Sequence, residues 1–131
     1  MEMCARSIIL SAGLVSLMAD DNYNCALAHA VCYGLQHFEH VERDDLHGDL
    51  VAYGALVQLM LDGQADKARE LRAFLVSLGT PVTLAEMNVP LDKAALHDAL
   101  VEATTGPDMA HIPYPITQDM VFEAMQRVEA L

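Results

Sequence analysis

The sequence predicts an all-α domain, a compact bundle of about six helices joined by short loops. Three observations carry that prediction. Apolar residues recur at helical spacing in every strongly patterned segment. No run of alternating β-branched residues marks a strand. The breaks between segments carry helix stops and starts, among them Gly63, Gly79, Pro81 and Asp92.

The pattern begins at residues 5–19, apolar nearly all round through Ile8, Ile9, Leu14, Val15 and Leu17. A polar stretch, Asp20-Asp-Asn-Tyr-Asn24, interrupts it. A second helix is predicted over residues 25–37, and its polar exit, 39–45, reads as a loop or a loosely wound turn. Residues 46–62 form the predicted central helix, apolar on most faces and stopped by Gly63. The segment 66–78 is amphipathic and ends at Gly79, before Pro81. Thr83-Leu-Ala-Glu86 has capping-box spacing and predicts a short helix. Asp92 is placed to cap a helix over 93–103. Beyond the Pro-rich stretch ending at Pro115, Thr117 and Asp119 open a last helix over 120–131.

With 131 residues the chain has room for one packed unit, so 1–131 is read as a single helical domain. Apolar residues at 53% and charged residues at 20% are enough for a core and too apolar for disorder. The net charge of −12, from 19 acidic and 7 basic residues, repels a phosphate backbone and anionic lipid alike. Nucleic-acid and membrane binding are therefore excluded from the expectations. The apolar stretch 7–19 is also shorter than the roughly 20 residues of a membrane span. Cys4, Cys25 and Cys32 are odd in number and suggest no disulfide framework, and Met1-Glu-Met-Cys-Ala-Arg6 lacks the features of a secretory leader. A cytoplasmic protein is expected. Two segments, 5–19 and 46–62, are apolar on more faces than a small bundle needs, which predicts a surface for a protein partner.

Histidines cluster at His29, His37, His40 and His47, with Cys32 three positions after His29. Imidazole is the commonest transition-metal ligand, and two histidines from adjacent helices with a carboxylate make a normal divalent site. His29 stands out because it lies among small residues, Ala26-Leu-Ala-His-Ala30, and His47 because Gly48 follows it and lets a ligand approach. His37 and His40, beside Glu39 and Glu42, read as solvent-facing. No CxxC, HExxH or GxSxG occurs, and Cys32 within an apolar helix reads as a packing residue. Neither GxGxxG nor GxxxxGK[ST] is present, so these residues by themselves hold no nucleotide.

Three segments, in order, are similar to the helical domain of glycerol dehydrogenases in the iron-containing alcohol dehydrogenase superfamily. They are Ala26-Leu-Ala-His-Ala-Val-Cys-Tyr-Gly-Leu35, then Leu46-His-Gly-Asp-Leu-Val-Ala-Tyr-Gly-Ala-Leu-Val-Gln-Leu59, then Gly79-Thr-Pro-Val-Thr-Leu-Ala-Glu-Met87 with His111-Ile-Pro-Tyr-Pro-Ile-Thr117. The resemblance implies that His29 and His47 are two metal ligands, for Zn2+ or Fe2+, in an enzyme that oxidises a polyol with NAD. It also implies a third ligand, an aspartate, and a nucleotide-binding domain, both upstream of the matching segments in the family. At the position where many members carry a second histidine, this sequence has Cys32.

The resulting expectation is the substrate- and metal-binding half of an NAD-dependent polyol dehydrogenase. Alone it would be inactive, and NAD would come through a separate domain or nucleotide-binding chain. The alternative is a non-enzymatic helical interaction module derived from that fold. A homo-oligomer, or a complex with the cofactor-binding chain, is the expected assembly.

Overall fold

Buried apolar stripes from each helix meet in one core, and every regular element in it is helical. The computed structural model describes residues 26–109 and 112–131. Its elements are α1 (Leu27–Leu35), α2 (Glu39–Asp44), α3 (His47–Leu61), α4 (Ala65–Leu78), α5 (His97–Thr105), a 3-10 turn at Pro107–Met109, and α6 (Gln118–Glu129). The helix expected over 5–19 lies outside the described residues, as do Cys4 and Cys25.

Central position falls to α3, against which α1, α4 and α6 all pack. From Asp49 to Leu61 none of its residues is exposed, and Leu50, Tyr53, Leu56 and Val57 are wholly buried. Burying a side chain of this kind stabilises the fold by roughly 1.5–3 kcal/mol. The apolarity of this helix on most faces is thus accounted for by neighbours in the same chain.

Helix α1 runs antiparallel to α3, with Ala28 beside Gln58 and Cys32 beside His47. Two glycines let it approach its neighbours backbone to backbone. A β-carbon on Gly54 would lie 2.2 Å from the Ala28 carbonyl oxygen, and one on Gly34 would lie 2.4 Å from that of Ala99. Only a residue without a side chain fits at either point. The start of α1 has no capping side chain of its own, and Gln58 supplies one by accepting from the Ala28 amide at 3.2 Å.

The observed helices match the predicted ones, with three differences. Residues 39–44 are helical, where a loop or loose turn was expected. The segment is too short to show a period, but Glu39 and Glu42 in its first turn, Arg43 in its last and buried Val41 favour the helix. Conversely, Thr83–Glu86 does not open a helix. The capping box forms: Glu86 accepts from Val82 N–H at 2.7 Å and Thr83 N–H at 3.1 Å, while Thr83 Oγ1 accepts from Glu86 N–H at 3.2 Å. Asn88 then turns left-handed at φ 55°, and Val89 N–H closes back on Leu84 O at 2.9 Å, so the segment stays a capped turn. Asp92 caps as expected, accepting from Ala95 N–H at 2.9 Å, but the α-helix proper begins at His97. Thr117 caps α6 through Met120 N–H at 3.3 Å.

One carboxylate joins three of these pieces. Glu129 Oε1, at the end of α6, accepts from Tyr53 Oη of α3 at 3.3 Å and from Leu84 N–H of the capped turn at 2.9 Å. Burial, with Glu129 beside it, raises the Tyr53 phenol well above its ordinary value of 10.0.

Candidate functional site

The antiparallel contact of α1 with α3 brings the two singled-out histidines together. The His29 and His47 ring centroids are 5.7 Å apart, with the planes inclined at 47°. Tyr33 is one helical turn beyond His29 and completes a three-ring cluster, 6.3 Å from His29 and 6.0 Å from His47. His47 and Tyr33 are exposed and His29 half-buried, so the cluster opens to solvent. A β-carbon on Gly48 would meet nothing within 4 Å, which leaves the space beside His47 open.

Cys32 forms the floor. It is wholly buried, with Sγ 3.5 Å from His47 Nδ1 and 3.9 Å from His47 O. Burial pushes its thiol up to about 11, so it carries its proton at neutral pH. Tyr33 was not foreseen as a member of the cluster, and Cys32, noted beside His29, was read as a packing residue. The available signal was their spacing, three and four positions after His29, which places all three on one helix face.

The other clustered histidines lie elsewhere. His37 is exposed. His40, expected to be solvent-facing, is half-buried and donates from Nε2 to the Met87 carbonyl at 3.2 Å, pinning α2 to the capped turn.

Two neutral imidazoles at this separation can both turn a nitrogen toward one ion, given metal–nitrogen bonds of about 2.0–2.1 Å. Among the described residues, however, no group of three or more His, Cys, Asp or Glu is arranged to hold one. The pair therefore suits part of a ligand set. Also among the described residues, no helix is long and apolar enough to cross a membrane.

No family model matches the chain. Individual proteins do. Hydroxycarboxylate dehydrogenase A of Escherichia coli K12 is 35% identical over 126 residues, which cover 95% of this chain and 34% of that protein. Glycolaldehyde reductase of Halobacterium salinarum is 32% identical over 124 residues, 91% of this chain and 33% of that protein. A glycerol dehydrogenase of Citrobacter freundii is 32% identical over 107 residues, 79% of this chain and 29% of that protein. The chain is homologous to the C-terminal helical part of iron-containing alcohol dehydrogenases of the glycerol dehydrogenase kind. It spans about a third of the length of the dehydrogenases it matches. The all-α architecture agrees with that part of the iron-containing alcohol dehydrogenase fold. The three-ring cluster lies within two of the three segments similar to glycerol dehydrogenases, 26–35 and 46–59.

Proposed function

We propose that these residues form the metal- and substrate-binding part of a dehydrogenase acting on a small polyol or hydroxy acid, with His29 and His47 as two ligands to one divalent ion. The observation that supports this best is the 5.7 Å approach of the two rings across α1 and α3. A bound Zn2+ or Fe2+ would supply Lewis acidity toward an alcohol oxygen. The chain's own residues do the rest: α3 holds His47 at its exposed first turn, α1 holds His29 opposite, and Tyr33 lines the mouth with a hydroxyl suited to a polyol. A third ligand, and the fold that binds NAD, come from sequence or a chain outside these 131 residues. With no Gly-rich phosphate cradle present, the 131 residues alone do not turn over.

The test is a titration of the metal-free chain with Co2+ or Zn2+, beside the His29→Ala/His47→Ala pair. The wild type binds weakly, as suits two ligands, and the double variant does not bind. Equal binding by both proteins sinks the assignment. Assayed with NAD and glycerol, the chain alone shows no turnover, and activity would overturn its dependence on a cofactor-binding half.

A second reading, a helical module that associates with itself, draws support from α4. Its outward side exposes Phe74 at 58% and Leu78 at 62%, one turn apart. Sedimentation of the wild type and Phe74→Asp decides this: a monomer in both cases removes the reading.

A further inference from the structure

We propose that Cys32 is a positioning residue that fixes the His47 ring in one tautomer, with the proton on Nδ1 and the lone pair on Nε2. Cys32 Sγ has two polar neighbours, His47 Nδ1 at 3.5 Å and the His47 main-chain oxygen at 3.9 Å. A carbonyl oxygen only accepts, and a thiol has one proton to give. When that proton goes to the carbonyl, Nδ1 faces sulfur lone pairs and is the donor. The two contacts are then satisfied together, whereas a thiol donating to Nδ1 leaves the carbonyl contact without a hydrogen.

The ring nitrogen that carries the proton is set by the hydrogen bond made on the other side of the ring. With Nδ1–H committed to the buried sulfur, Nε2 keeps its lone pair on the edge away from Cys32. His47 is exposed, and its ring centroid lies 5.7 Å from that of His29 and 6.0 Å from that of Tyr33. In water the unconstrained side chain prefers the opposite tautomer, with the proton on Nε2, so the sulfur works against an intrinsic preference. Metal-binding histidines usually lean on a carboxylate or carbonyl for this purpose. Here a thiol from the neighbouring helix does it, and the ring is oriented before any ligand arrives.

The use made of the lone pair, holding a divalent ion, rests on the function proposed above; the protonation pattern does not. Ring-nitrogen NMR on 15N-histidine protein, metal-free at pH 8, tests the pattern directly. In the wild type the His47 signals are expected to be pyrrole-like for Nδ1 and pyridine-like for Nε2. Cys32→Ala should move His47 toward the Nε2–H form, and Cys32→Ser should restore the wild-type pattern, because a hydroxyl also accepts from Nδ1–H. An Nε2–H ring in the wild type overturns the proposal, whether or not the variants fold. So does an unchanged tautomer in a folded Cys32→Ala. Zn2+ titration of the same samples separates the two readings. Loss of the positioning contact should weaken binding by about 10-fold or more in Cys32→Ala and much less in Cys32→Ser. If the tautomer shifts as expected while no sample binds Zn2+, the positioning role is supported and the metal assignment alone falls.

Discussion

Gly54 and Ala28 meet so closely that a β-carbon on the first would lie 2.2 Å from the carbonyl oxygen of the second. At this point α1 lies on α3 backbone to backbone, and the approach of His29 to His47 depends on it.

Gly54→Ala should therefore be strongly destabilising even though alanine is the better helix former. The two backbones must separate, and overpacking of this kind costs about 1–3 kcal/mol or more. Gly48→Ala, on the same helix with nothing within 4 Å of the new methyl, is the control. It should be neutral or stabilise by up to about 1 kcal/mol. Urea unfolding midpoints measure both, and equal effects would contradict the geometry.

Much of the fold was legible in the sequence, because strong apolar periodicity marks helices with buried stripes. Residues 46–62 were read as the central helix, and α3 occupies His47–Leu61 at the centre of the core. Signals failed where a single residue decided the outcome. Val41 is the one buried residue of the short polar helix α2, and Asn88 turns the Thr83–Glu86 segment away from helix. His29 and His47 were singled out from their surroundings and from a family likeness, but spacing could not show them meeting. Their contact is set by the antiparallel crossing of α1 and α3, a long-range property that local pattern does not encode.

Glu129 should behave as a tie between α3, α6 and the capped turn. Replacing it with Leu strands the Leu84 amide and the Tyr53 hydroxyl, and the loss should be about 1–3 kcal/mol. A thermal-melt cycle with Tyr53→Phe should show coupling, and additive effects would mean the Tyr53–Glu129 bond adds nothing.

At high pH, Tyr53 predicts a falling limb of stability. Its folded-state phenol is raised above the ordinary 10.0, first by burial. Its contribution is complete below about pH 10 and is lost as pH rises toward the folded value, because the native state holds the proton longer. Denaturation midpoints between pH 9 and 11, on an approximate scale set by the free phenol, should decline in the wild type. They should decline less in Tyr53→Phe.

The acid side involves Glu86. Its carboxyl is held below the ordinary 4.5, chiefly by the Val82 amide and further by Thr83. That contribution is present above 4.5 and disappears as pH falls through the lower folded value. Glu86→Gln should flatten the acid limb of stability while changing the midpoint at pH 7 only modestly. An unchanged acid limb would show that the capping box does not hold in solution.

Cys32 should resist alkylation. With its thiol near 11 and no exposed surface, it should react with iodoacetamide at pH 8 far more slowly in the native protein than after urea unfolding. Peptide mass spectrometry reads the labelling at this position, and fast native labelling would contradict the buried floor.

The backbone contacts of α1 also limit how the three-ring cluster can move. Gly54 locks one side of the helix to α3 through Ala28, and Gly34 locks the other to α5 through Ala99. Held at two points on different neighbours, α1 can neither slide nor roll without a main-chain collision. His29, Cys32 and Tyr33 therefore ride on a fixed rail. Any change in the His29–His47 distance has to come from side-chain torsions, which switch in picoseconds to nanoseconds, rather than from the microsecond-to-millisecond shifts of packed helices.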